Sequence, residues 1–387
     1  MSQVPESTTI TNVQMVQNYL TTYYQFKYNS NTNRLLVKFK FGTDDFHYLT
    51  DFEFNTILKN IKIVNIRCSK DLLRVVLFSD YVNKFDPFLA YLNGLPEWDG
   101  TDYVGKLADS VTTTDPKHWA FCLKKWLVAM VASLVDEKVV NHTAIIFSGP
   151  QGIGKTRWFH TIIPPELKEF IYEGYIQTKD KETNVKLSEC ILILMDELEN
   201  MSDRNIDALK MLMTQESIYM RRAYQTISQS YTRRASFAGT VNKKQFLTDL
   251  TGNRRFLCFE VENINLNHQV PLNQLYAQLL HLFKTGFQFW FDESEIAMLN
   301  EKNAQFRYIS VEEEALAAHF EPCHAGDETS FLQTTQIQQA LVQKTGFKSL
   351  SIQVLGRILR DMKFERVKRN GVYGYLVKEK KPEFEQL

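Results

Sequence analysis

"AIIFSGPQGIGKTRWF", residues 144–159, decides the reading of this chain. An apolar run leads into a loop with three glycines, and the loop ends in Lys155 and Thr156. Gly149, Pro150, Gln151, Gly152, Ile153, Gly154, Lys155 and Thr156 fit the spacing G-x-x-x-x-G-K-[ST], with Arg157 following. Bare glycine backbone lets N–H groups converge on phosphate oxygens, and a following helix adds its positive end. In this pattern the lysine reaches the β- and γ-phosphates and the Thr156 hydroxyl ligates Mg²⁺. A buried strand before the loop and the helical "TRWFHTII" after it are the context that the motif requires. ATP with Mg²⁺ is therefore the expected ligand, held by residues 149–157.

Three further positions extend the site. "ILILMDELEN" ends an apolar strand in Asp196 and Glu197. Asp196 is expected to complete the metal site with Thr156, and Glu197 to orient and deprotonate an attacking water. Asn242 closes the strand "ASFAGTVN", and the carboxyl ends of parallel strands line the ligand crevice. Arg254 and Arg255 lie at the start of the strand "RFLCFEV", where a guanidinium can meet a γ-phosphate, expected to be a neighbouring subunit's.

Working outward, short buried strands alternate with helices from about residue 143 to 261, the α/β signature. The candidate strands are residues 143–148, 190–196, 235–242 and 255–261. Before them, residues 1–84 read as a small α+β domain with a hairpin about Asn29–Asn33 and a helix starting at Thr50. Residues 85–140 read as a helical linker or collar, the turn-rich part of it with one helix. Residues 141–265 form the nucleotide core, and 266–320 are helical. Residues 330–387 give two helices and a hairpin at Asn370-Gly371, the outline of a winged helix.

Composition narrows the classes. Net charge is zero, so nucleic-acid binding must come from local patches. The run "WLVAMVASLV" is too short to span a bilayer, and the N-terminus has no signal pattern, so no membrane partner is expected. Five scattered cysteines without a CxxC pair suit buried thiols in a reducing cytoplasm.

Two basic regions are candidates for DNA. "SIYMRRAYQTISQSYTRRASF" reads as two extended arms about a polar turn near residues 228–230. Arg221, Arg222, Arg233 and Arg234 interleave there with Tyr224 and Tyr231, a pattern that suits phosphate contact with base stacking. In the last segment Arg357, Arg360, Lys363, Arg366, Lys368 and Arg369 crowd the final helix and hairpin.

The loop, Asp196-Glu197, Asn242 and Arg254-Arg255 follow in an order that resembles the superfamily 3 helicases, a branch of the AAA+ ATPases. More closely, "LPEWDGTDY", "FCLKKWLVAMVASL", "NHTAIIFSGPQGIGKT", "MDELENM" and "RRASFAGTVNKKQFLTDLTGNRRFLCFEV" resemble the virulence-associated protein E family of bacterial mobile elements and phages. The resemblance implies an AAA+ P-loop core, a parallel sheet with flanking helices. It also implies a ring, in the first instance a hexamer, acting on single-stranded or forked DNA. It gives Asn242 the role of sensing the γ-phosphate and suggests a separate primase or replication protein as partner. A helicase or translocase is the leading reading. A non-unwinding replication initiator and an ATP-switched regulatory protein are the alternatives.

Overall fold

The computed structural model describes residues 10–174, 176, 180–222, 227–247, 253–323, 330–347 and 350–380. Helix α1 (Asn12–Tyr23) starts where the Thr11 hydroxyl accepts the Gln14 N–H and the Gln14 side chain accepts the Thr11 N–H. Strands β1 (Tyr24–Asn29) and β2 (Arg34–Phe39) form the expected hairpin. Strand β3 (His47–Tyr48), helix α2 (Asp51–Ile63), helix α3 (Lys70–Leu77) and strand β4 (Lys84–Phe85) follow. Helix α2 starts at Thr50, as the sequence predicts, and Thr50 and Glu53 cap it reciprocally. The sheet order is β3-β2-β1-β4, and Val16, Leu20, Leu35, Ile57, Ile61 and Leu73 fill the core beneath it.

The stretch expected to be a linker carries two helices, α4 (Pro87–Asn93) and α5 (Tyr103–Ala108), then β5 (Val111–Thr113) and α6 (Pro116–Val135). Its turn residues are helix starts. Asp86, Asp102 and Asp115 accept first-turn N–H groups, and Pro87 and Pro116 occupy first helical positions. Phe88, Leu92, Tyr103 and Leu107 share one core with Trp119, Trp126, Phe147 and Trp158. This segment is therefore packed against the central sheet and is no spacer. Helix α6 is long and apolar enough to cross a membrane, yet 72% of its most apolar window is buried inside the core.

The central unit contains β6 (Ala144–Ser148), α7 (Lys155–Thr161), β7 (Ile171–Glu173), α8 (Lys181–Glu189), β8 (Leu192–Met195), α9 (Asp203–Thr214), β9 (Ser217–Met220), β10 (Gln229–Thr232), β11 (Ser236–Val241) and β12 (Phe256–Ile264). Strands β5-β12-β6-β11-β8-β7 make a six-stranded sheet, parallel except for β5 at the edge. Every residue of β6, β8 and β11 is buried, as a sheet covered on both faces requires. Alternation sorts their side chains. Ile145, Phe147, Leu192, Leu194 and Leu257 enter the core with α6, whereas Ala144, Ile146, Ile193, Met195 and Cys258 enter a second core with α9.

Helices α10 (Leu272–Lys284), α11 (Glu293–Asn303) and α12 (Val311–His319) follow as predicted. The last elements are β13 (Phe320–Pro322), β14 (Ser330–Leu332), α13 (Thr334–Thr345), α14 (Ile352–Asp361), β15 (Arg366–Arg369) and β16 (Val372–Glu379). Strand β16 pairs with β13, β14 and β15, and the turn from β15 has φ of 48° and 83° at Asn370 and Gly371. Ala315 and Leu316 of α12 pack with Ile337, Leu341, Leu355 and Leu359. The C-terminal unit thus begins with α12, earlier than the residue 330 read from sequence. The architecture is mixed α/β, and all five cysteines are free and buried.

Candidate nucleotide-phosphate site

The loop leaves β6 at its carboxyl end and turns into α7. Gly152 and Gly154 have φ of 87° and 96°, and a Cβ on Gly149 would lie 2.5 Å from the Val261 carbonyl oxygen. Glycine is what lets this backbone turn back on itself against β12. Lys155 is buried, and its ammonium donates to the carbonyls of Gly149 (2.6 Å) and Pro150 (2.8 Å) and to Asn242 Oδ1 (3.2 Å). Burial pulls the Lys155 pKa below the usual lysine range, while the Glu199 and Asp196 carboxylates push it back up. Gln151 and Arg157 are exposed, and Ile153 packs against the core.

Thr156 Oγ1 donates to Asp196 Oδ1 at 2.7 Å, so the two expected metal ligands already touch. Thr240 Oγ1 donates to the same oxygen at 2.5 Å. Sequence reasoning missed Thr240. Its signal was available: two positions before Asn242, it shares that residue's side of the strand. Glu197 is exposed, has φ of 53°, and accepts a hydrogen bond from Asn200 Nδ2 at 3.0 Å. A left-handed backbone at a non-glycine residue costs about 1–2 kcal/mol, and such strain collects at functional sites. Glu199 Oε1 accepts the Asn242 N–H at 2.9 Å, and its Oε2 is buried without a partner.

Because β11 lies between β6 and β8, Asn242 arrives between Lys155 and the acid-bearing segment. Arg254 and Arg255 lie elsewhere. They precede Phe256, which pairs with Ala144 at the start of β6, whereas the loop follows Ser148 at its end. Four residues of parallel strand separate these levels by about 13 Å. Arg254 is exposed, and burial followed by the charge of Arg254 lowers the pKa of the half-buried Arg255.

The basic ribbon differs from its reading. Strands β9 and β10 pair antiparallel from Ser217↔Thr232 to Met220↔Gln229, so the connection begins at Arg221 and Ser230 is within a strand. Buried Ile218, opposite Tyr231, holds this register. Arg233 is 0% exposed and donates to the carbonyls of Gln215, Ala235, Asn141 and Met213. Burial brings its pKa down to about 9, so it stays charged at neutral pH. Arg222, 6% exposed, binds the Asn31 carbonyl, Ser188 Oγ and Glu189. Arg234 pairs with Asp86 at 3.3 Å and donates to the Leu134 carbonyl. These three cations are engaged in internal contacts, and a DNA-facing role for Arg222 and Arg233 does not fit their burial. Arg221 is exposed, and Tyr224 lies outside the described residues. Arg233→Met should lower stability by at least about 3 kcal/mol, since four buried carbonyls lose a charged donor. Thermal denaturation should register a Tm fall of roughly 6–12 °C; an unchanged Tm would refute the structural role.

In the C-terminal unit Arg357, Arg360, Lys363, Arg366, Lys368 and Arg369 are all exposed, on α14 and on the strand and turn that follow it. Arg366 and Lys368 both lie over the Tyr373 ring, at 4.5 and 5.4 Å.

The profile of the virulence-associated protein E-like domain matches residues 92–308. No curated protein matches the chain. Among solved structures, the chain is similar to the apo structure of the NrS-1 C terminal region, at 14% identity and a TM-score of 0.49, covering 95% of this chain and 98% of that one. A second is the A form apo structure of the same region, at 14% identity and a TM-score of 0.48, covering 95% and 100%. The matched span takes in the glycine loop, the acid strand, Asn242 and the arginine pair, and with it more than half of the sequence: the chain belongs to the virulence-associated protein E-like domain family.

Proposed function

We propose that this chain is an ATP-driven AAA+ DNA motor, a helicase or translocase that serves replication of a phage or other mobile element in the cytoplasm. One observation carries the reading. Lys155 meets Asn242 at 3.2 Å while Thr156 meets Asp196 at 2.7 Å, all at the carboxyl ends of neighbouring parallel strands. The residues fit ATP with Mg²⁺: the loop has no side chains at its glycines, and Glu199 leaves a buried oxygen unused beside Lys155. Among the described residues no cluster of three or more His, Cys, Asp or Glu could hold a metal. Thr156 and Asp196 would therefore share Mg²⁺ with phosphate and water oxygens, the usual way that ion is held. Bound Mg²⁺ supplies charge neutralisation at the phosphates.

Each residue has one task in this reading. Lys155 exchanges its two loop carbonyls for β- and γ-phosphate oxygens. Glu197, exposed beside Asp196, takes the proton of the attacking water. Asn242 senses the γ-phosphate, and Glu199 holds its backbone. Glu197→Gln should keep nucleotide binding and lose about 10²–10⁴-fold in turnover, because an amide accepts no proton. Glu199→Gln should lose much less, since an amide oxygen still accepts the Asn242 N–H. Single-turnover hydrolysis separates the two; a larger loss at Glu199 would reverse the assignment.

Arg254 and Arg255 lie about 13 Å from the loop level of their own chain, which favours a role at a neighbour's site. That supports a ring with shared sites, in the first instance a hexamer. The order α12-β13-β14-α13-α14-β15-β16, with exposed cations on β15, supports a winged-helix unit that holds DNA phosphates. Truncation before Ser310, which removes α12 with its core, should weaken DNA affinity and flatten its salt dependence while sparing basal hydrolysis. Unchanged affinity and slope would take those cations out of the interface. The whole reading is tested by phosphate release with and without single-stranded DNA, alongside separation of a forked duplex. Stimulation with ATP-dependent separation supports a motor. Stimulation alone fits an initiator, and indifference to DNA fits a regulatory protein.

A further inference from the structure

The edge of the N-terminal sheet carries chemistry that the nucleotide site does not use. Strand β4 pairs with β1 only at Tyr28 and Asn29, so on the side away from β2 no strand among the described residues lies alongside Tyr24–Lys27. The space beside that edge is a groove of about 630 Å³. Its lining includes Lys27, Lys40 and Lys84 and the rings of Phe46, Tyr81 and Phe85, with no acidic residue among the described residues. The Lys27 ammonium lies 4.2 Å from the Phe46 ring centre and 5.1 Å from that of Phe85. Next to Lys40, three further rings form an exposed ridge. Phe41 is 71% exposed, and its ring centre lies 5.7 Å from Phe39 and 6.1 Å from Tyr23, both also exposed.

Folding does not account for this ridge. Phe39, Phe41 and Tyr23 stand outside the core beneath the sheet, which is filled by other residues. A contiguous exposed aromatic patch marks an interaction surface. Lysines without a carboxylate partner among the described residues call for an anion, and flat exposed rings beside them call for a planar one. A single strand of nucleic acid offers both, with phosphates for the lysines and bases for the rings. An acidic peptide would use the lysines and leave the ridge idle.

We propose that the N-terminal unit binds single-stranded nucleic acid along this groove and ridge, as a site distinct from the basic C-terminal unit and from the nucleotide loop. Bases stack on Phe41 and its neighbours, and the backbone tracks Lys40, Lys27 and Lys84. The site holds the strand without ATP and keeps it close to the rest of the chain.

The test uses the full chain without nucleotide and a thymidine oligomer. Ultraviolet cross-linking followed by peptide mapping should place adducts within residues 23–46. Phe41→Ala, at an exposed position, should remove most of that adduct and weaken the binding that produces it about five-fold or more, the low end for one stacked base. Lys27→Ala with Lys84→Ala should lower the log–log salt slope by about 1.4, at about 0.7 per phosphate in single strands. Lys155→Ala should leave the adduct intact, which separates failure of this site from failure of the ATPase reading. Adducts confined to other parts of the chain would overturn the proposal. So would an adduct and slope unchanged in the variants, or displacement by polyglutamate as effective as by the oligomer at equal charge.

Discussion

Lys155→Ala should reduce ATP hydrolysis to background and abolish tight nucleotide binding. Lys155 is the motif's own cation, it is buried, and its ammonium already sits at the focus of the loop. Removing one charged donor from a preorganised site of this kind costs about 10²–10³-fold in rate, and here the same donor is needed for binding. The fold should survive, because Gly149 and Pro150 can turn their carbonyls to water once the loop is open. Calorimetry with a non-hydrolysable ATP analogue measures the binding, and phosphate release measures the rate. Wild-type hydrolysis by this variant would sink the nucleotide assignment.

The second large effect lies in the arginine pair. Arg254→Ala or Arg255→Ala should still bind nucleotide through an intact loop and yet hydrolyse poorly. Lys155→Ala has the opposite defect, with a dead loop and a sound arginine. Mixing the two should create interfaces with a good loop on one side and a good guanidinium on the other. A guanidinium supplied in trans contributes about 10³–10⁵ in rate, so even a minority of repaired interfaces should rise above the background of either variant alone. Phosphate release from mixed assemblies is the measurement. If mixed assemblies form and no activity returns, the pair acts within its own chain or holds the fold.

Much of this was legible before any coordinates. Residues 144–156 could be read as strand, loop and helix because a buried apolar run, three glycines and a helical tail each obey a different local rule. The Asn370-Gly371 turn was equally readable, since both positions need positive φ. The misreadings share one cause: local chemistry was decided by distant partners. The Asp-Pro pair at residues 86–87 looked like linker punctuation, and tertiary packing made it a helix start in the main core. Arg222 and Arg233 looked like surface cations, yet the acceptors that bury them include residues 31 and 141, far away in sequence. Thr240 was missed because a threonine in a buried strand carries no motif of its own, and only its two-residue spacing from Asn242 pointed to it. Its value comes from Asp196, which only the sheet order brings within 2.5 Å.

Arg222 has a mechanical consequence. Its guanidinium clasps Asn31 in the hairpin turn of the N-terminal unit, and Asn33 of the same turn donates to Tyr231 on the ribbon at 2.8 Å. From its other side Arg222 grips Ser188 and Glu189 at the end of α8. A buried cation does not leave such partners without a large penalty. The ribbon, the end of α8 and the N-terminal turn therefore behave as one stiff lever. A displacement of the ribbon would have to break these contacts or carry the N-terminal turn with it.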